Sequence, residues 1–349
     1  MILMSKRILA AACAAATALA LSACSPSAST GGKTSKDGTL TVMASFYPLK
    51  YLAEKVGGEH VTVTSLTPDG AEPHDLELSP KMVDSLASAD AVVYLAGFQG
   101  AVDEAVEQHA PKTVIDVSPA AQLVAIDSTS NHPGEDEGTD EAQSGEAQSG
   151  EAADHDHEGH EHEGHDHEHA DHDHHHDMSM DPHFWLDPAR MANAATLVGD
   201  KLAEADPTNA ETYKANAQAL NEELTSLGDN LVAKTSTCQI KTFVTAHTAF
   251  GYLADRTGLT QVGISGLDPE SSPSPARLAE IGKIVKDQGV TTIFTEALID
   301  PKVEQTLATD LGISTAVLDP IESQTDASKD YAAVMQANID ALTKANNCQ

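Results

Sequence analysis

The sequence predicts an α/β protein of two βα lobes, each on a parallel sheet, joined by a long helical connection. Three observations carry this. Short runs of apolar and β-branched residues alternate with helical segments over residues 39–130. The same alternation returns over 237–349. Between them, within 181–236, apolar residues recur at spacings of three and four, the period of a helix with one buried face.

Residues 1–23 read as a signal segment to be kept out of the fold. Lys6 and Arg7 precede an apolar stretch, Ile8 to Leu21, that is too short to span a bilayer comfortably. Leu21-Ser22-Ala23-Cys24 resembles a bacterial lipobox, which makes Cys24 the expected lipidated first residue, anchored at the outer face of the cell membrane. Residues 24–38 are rich in Ser, Thr and Gly and are expected to form a flexible tether. Strands are then expected at 39–46, Val61–Leu66, Ala91–Leu95 and Thr113–Val117. Helices are expected from Pro48 to Val56, from Ser79-Pro80 to Ala87, and from Ala101 to His109. After residue 180, Asp187-Pro188 reads as an N-cap followed by proline at the first helical position. Met191, Ala195, Val198 and Leu202, then Tyr213, Ala217, Leu220 and Leu224, predict a helical backbone of about 45 residues, kinked at Pro207 rather than ended there. Strands at Ile240–Ala246, Gln261–Ile264, Thr291–Thr295 and Ser314–Leu318 complete the second lobe, with helices at 249–257, 275–287, 301–311 and 329–345. No later run of 18 apolar residues occurs, so the lobes are expected to be soluble.

The net charge of −34 is uneven, since residues 131–181 hold 18 Asp and Glu and no Lys or Arg. An acidic chain is a poor partner for nucleic acid, whose phosphates want cations, but it suits the collection of cations. Residues 131–180 also carry twelve of the seventeen histidines and almost no apolar side chains, so a disordered His/Asp/Glu-rich loop is expected there. It would serve either as a metal collector or as an inert spacer. Of the cysteines, Cys13 leaves with the signal and Cys24 takes lipid. Cys238 and Cys348 remain, as one disulfide or as two buried thiols.

Five histidines lie outside the acidic loop. His60, in a polar turn, and His109, at the end of a surface helix, read as solvated. His74, His183 and His247 each stand where a loop meets a sheet edge or a helix start, where parallel sheets bind ligands. Any one of them would equally suit packing, as His183 beside Trp185, but three imidazoles and a carboxylate would complete a tetrahedral shell for zinc. Asp75 and Asp181 are candidates to fix the imidazole tautomers. No His-Glu-x-x-His, Gly-x-Ser-x-Gly or phosphate-loop pattern points to hydrolysis.

Gly70-Ala71-Glu72-Pro73-His74-Asp75, Asp181-Pro182-His183-Phe184-Trp185-Leu186-Asp187-Pro188 and His247-Thr248-Ala249-Phe250-Gly251-Tyr252 resemble the three histidine motifs of the cluster A-I solute-binding proteins. These are metal-binding lipoproteins of bacterial ABC importers for zinc and manganese. Ile264-Ser265-Gly266-Leu267-Asp268-Pro269 and Leu318-Asp319-Pro320-Ile321-Glu322 extend the likeness over nearly the whole chain after the tether. The resemblance implies a rigid helix between the lobes and a metal buried in the cleft. It implies His74, His183 and His247 as ligands and Glu322 or Asp319 as the fourth, with Glu322 ahead of Asp319 and water in reserve. Glu296 is expected to support the site rather than to bind. Manganese-type relatives tend to carry a carboxylate where His247 stands, so zinc is the expected cargo and manganese the alternative. The implied partners are a permease and its cytoplasmic ATPase, and the chain is expected to be a monomer. A zinc hydrolase, a metal buffer and an adhesin are the rival readings.

Overall fold

The structure is a computed structural model that describes residues 38–109, 111–126 and 180–349. The signal segment, Cys24 with its tether up to residue 37, and the His/Asp/Glu-rich segment up to residue 179 lie outside the described residues.

In the first lobe β1 (Leu40–Ala44), β2 (Val61–Ser65), β3 (Ala91–Tyr94) and β4 (Thr113–Asp116) form one parallel sheet in the order β2-β1-β3-β4. In the second, β5 (Thr242–Thr245), β6 (Thr260–Gly263), β7 (Thr292–Thr295) and β8 (Ser314–Val317) repeat that order as β6-β5-β7-β8. The strand order leads outward from β1 or β5 to both sides, and parallel sheets bind ligands beyond the carboxyl ends of the strands where the order so reverses. Both central strands, LTVMA and TFVT, are apolar or Thr throughout because both faces are covered.

The covering helices start where the sequence places caps. Ser79 before α2 (Pro80–Ser88) and Ser274 before α8 (Pro275–Gln288) accept from the N–H three residues on, with proline just inside each helix. The first lobe adds α1 (Tyr47–Gly57), α3 (Gly100–His109) and α4 (Ser118–Ala121); the second adds α7 (Gly251–Thr257), α9 (Lys302–Leu311) and α10 (Tyr331–Ala345).

One expectation is corrected. The helical backbone is not kinked at Pro207 but ends and reverses there, giving α5 (Pro188–Ala205) and α6 (Ala210–Thr235). Asp206, kept out of the helical region by the proline after it, accepts from the Thr208 N–H at 3.2 Å, the Asn209 amide at 2.7 Å and the Tyr213 hydroxyl at 3.0 Å. The two helices run antiparallel: Asn221 donates to the Ala192 carbonyl at 2.8 Å, and a Cβ on Gly199 would lie 2.4 Å from that of Ala217. The chain passes from the first lobe to the second along α6. Its 26 residues span about 39 Å. Asn216 near its start donates to Val56 of α1, and Asn230 near its end donates to Gln336 of α10.

The main core runs without a break through both lobes, from Phe46, Leu52 and Val93 through Trp185 and Leu224 to Phe243, Phe250 and Tyr331. Each sheet has a smaller core on its other face, around Leu66 and Val92 in one lobe and around Val262 and Ile293 in the other. Cys238 and Cys348 are joined by a disulfide that ties the chain end to the start of the second lobe. Closing a loop of 110 residues contributes about 4–5 kcal/mol by restricting the unfolded chain. Among the described residues no helix is long and apolar enough to cross a membrane.

Candidate metal centre

The loops beyond the strands bring four chelating side chains together. His74 lies in the loop after β2, and His183 opens the 3-10 turn Phe184–Leu186 that leads into α5. His247 is two residues past β5 and Glu322 five past β8. One ligand atom from each lies within 4.8 Å of all the others, among side chains that are 6% exposed or less. Glu322 Oε1 is 3.4 Å from the Nε2 of each of the three histidines. That spacing is long for a charge-assisted hydrogen bond, which closes to about 2.7–2.9 Å. It equals the edge that a tetrahedral zinc shell would have, because ligand bonds of about 2.0–2.1 Å put tetrahedral ligands about 3.3–3.4 Å apart. The Nε2 atoms of His183 and His247 are buried and make no hydrogen bond of ordinary geometry.

Two of the rings are held from behind. Asp181 accepts from His183 Nδ1 at 2.8 Å and also from its backbone N–H at 3.0 Å. Glu296, one residue past β7, does the same for His247 at 2.6 and 3.1 Å. A carboxylate can only accept here, so each Nδ1 carries the proton and each Nε2 faces the centre. Asp75 is exposed and takes no such part, and His74 Nδ1 is buried without a partner. His74 is held instead by Glu72, which accepts its backbone N–H, and by the edge of Phe98.

Asp319 is not among the four. Its Oδ1 accepts the Ile321 N–H at 2.8 Å, and its backbone is bracketed by the Asn338 amide at 2.8 and 2.6 Å. The turn so formed holds Ile321 at φ 58, a conformation that costs a β-branched residue about 1–3 kcal/mol. This turn points the next side chain, Glu322, at the imidazoles. The expected solvated pair also stand clear: His60 packs edge-on to Tyr213, and His109 is exposed.

The charges around the centre follow from burial and partners. Burial works against a charged His247, but the charge and hydrogen bond of Glu296 and the contact with Glu322 raise its pKa to about 10. His183 is raised in the same way, with Asp181 as the chief partner opposing burial. Burial lowers His74. Burial alone would raise Glu322; the three imidazoles override it and hold the carboxyl well below its ordinary range.

Two residues that no motif singled out support the site in a matching way. Gln99 and Gln261 are both buried, and each side-chain amide bridges a threonine hydroxyl to a backbone carbonyl beside a histidine. Gln99 donates to Thr67 and to the Pro73 carbonyl at 3.0 Å each; Gln261 donates to Thr245 at 2.9 Å and to the His247 carbonyl at 3.0 Å. Only the repeated topology of the lobes would have paired them. Gln261→Leu is expected to destabilise the metal-free protein by about 1–3 kcal/mol, read from denaturant unfolding, because it strips partners from buried polar groups. No change in the unfolding midpoint would remove the amide from the support of the site.

The chain is similar to several known proteins. The zinc-binding protein AdcA of Streptococcus pyogenes is 33% identical over 311 residues, which cover 88% of this chain and 56% of AdcA. The chain thus spans little more than half the length of that relative. The high-affinity zinc uptake system protein ZnuA of Bacillus subtilis is 31% identical over 337 residues, 94% of each chain. The Zn(II)-bound ZnuA-like domain of AdcA from Streptococcus pneumoniae superposes with a TM-score of 0.66 at 30% identity, over 89% of this chain and all of that domain. Residues 42–345 match the family described as zinc-uptake complex component A, periplasmic, and the chain belongs to that ZnuA family.

Proposed function

We propose that the chain is an extracytoplasmic receptor that binds one Zn(II) through His74, His183, His247 and Glu322 and delivers it to a membrane permease driven by a cytoplasmic ATPase. The observation that carries this is the single carboxylate oxygen lying 3.4 Å from three imidazole nitrogens, which suits a four-coordinate ion. Three imidazoles favour zinc over the harder manganese ion. Four protein ligands leave no position for a reacting water, so the ion is cargo and the protein is not an enzyme. The names of the relatives, a zinc-binding protein and a zinc uptake protein, support the same reading.

Lipidation of Cys24 would hold the receptor at the outer face of the membrane as a monomer, beside the permease. The twelve histidines between residues 132 and 176 would gather zinc near the receptor. Metal analysis of protein purified without added metal, followed by competition titration with a zinc chelator, tests the main reading. One tightly held zinc per chain, displaced by neither manganese nor magnesium, is the expected result for a variant lacking 132–176. A variant that binds no zinc, or prefers manganese, defeats it.

A further inference from the structure

Glu72 stands at the edge of the centre without belonging to it. Its two oxygens accept the His74 N–H at 2.9 and 3.1 Å, a bracket that shapes the loop. Its Oε1 also lies 3.9 Å from His74 Nε2, the atom that faces Glu322 Oε1 at 3.4 Å. Two donors can hold one zinc between them when they are no more than about 4.2 Å apart, twice the length of a ligand bond. His74 Nε2 therefore belongs to two donor pairs, an outer one with Glu72 and an inner one with Glu322. An ion could pass from one pair to the other while His74 holds it throughout. Exposure runs in the same direction: the Glu72 side chain is 17% exposed, that of His74 6% and that of Glu322 2%. The loop that carries Glu72 is pinned over the inner pair, since the Gly70 N–H donates to the hydroxyl of Ser323, next to Glu322, at 2.6 Å.

We propose that Glu72 is the port of the metal centre, a transient ligand that takes the incoming cation from water, hands it inward across His74, and receives it again on release. The proposal rests on zinc being the cargo of the four inner ligands. Each exchange of water for a protein donor is then a small step, and the ion is never stripped of ligands all at once. A carboxylate suits the outermost place because it attracts a hydrated dication and binds through one oxygen or two.

The test uses the full chain with Glu72→Gln and Glu72→Ala, and zinc as the probe. Glutamine keeps an oxygen to accept the His74 N–H and removes the charge, so it separates the port from the bracket. Zinc association is followed by stopped flow, and zinc transfer to excess chelator gives the dissociation rate. Both rates are expected to fall at least tenfold in Glu72→Gln as well as in Glu72→Ala, with the equilibrium affinity changed less than tenfold. Rates in Glu72→Gln within twofold of the parent would reduce Glu72 to a backbone bracket and overturn the port. So would a loss of equilibrium binding as deep as that of His247→Ala, which would make Glu72 a resident ligand. If the parent chain binds no zinc, the receptor reading falls and the port with it. If the parent binds one zinc and the rates do not respond, only the port falls.

Discussion

Zinc affinity in the His247→Ala variant is expected to fall by on the order of a thousandfold, more than the 10- to 100-fold typical of losing a residue that merely orients a ligand. The substitution removes an Nε2 that faces Glu322 Oε1 at 3.4 Å and leaves three donors about the ion. Glu296→Ala should fall within the smaller range, because Glu296 touches only the Nδ1 side of that ring and its backbone N–H. Glu322→Ala should follow His247→Ala, and Asp319→Ala should follow Glu296→Ala, since Asp319 acts through the turn at Ile321. Competition titration of the four variants gives the order. Affinity in His247→Ala within tenfold of the parent would mean that the ion sits elsewhere, and a reversal of Glu322 and Asp319 would exchange their roles.

Acid is expected to release zinc, steeply. In the metal-free site His247 is raised to about 10, so at neutral pH its Nε2 carries a proton that faces Glu322; the partners of His183 raise it as well. The ion must displace that proton, and affinity should then change by about tenfold per pH unit around pH 7. His74 is shifted the other way, lowered by burial. The same proton acts on folding with the opposite sign. A histidine raised above its ordinary 6.5 stabilises the metal-free fold fully below that value, and the stabilisation is lost as pH rises through the folded value, about 10 for His247. Alkali should therefore weaken the metal-free fold and tighten the zinc complex. Competition titrations at pH 6, 7 and 8, with calorimetry in buffers of different ionisation enthalpy to count the protons, check this. Affinity that stays flat from pH 6 to 8 would show that the imidazoles are already neutral before the ion binds.

Much of this was legible in the chain, for local reasons. The alternation of Leu40–Ala44 and its counterparts with capped helices such as Ser79-Pro80 is written in neighbouring residues, because strand and helix periods act over a few positions. His74, His183 and His247 could be picked out because each stands where a loop meets a sheet edge or the start of a helix. The reversal at Pro207 was misread as a kink for the same reason that it could be noticed. Proline signals a break locally, but whether the next helix continues or folds back depends on the packing of Gly199 against Ala217.

The sequence by itself determined the two βα lobes, the three histidines and the pair of cysteines, since each rests on residue type and short-range spacing. Only the tertiary structure sets Glu322 beside the three imidazoles and Asp319, three residues before it on the same segment, apart from them. The positive φ of Ile321 turns one toward the imidazoles, while the other is bound to the Ile321 N–H. It alone set Glu296 behind His247, matched Gln99 with Gln261 and stationed Glu72 outside His74. These pairings depend on how strand ends from distant parts of the chain converge, and no local period encodes a distance across a cleft.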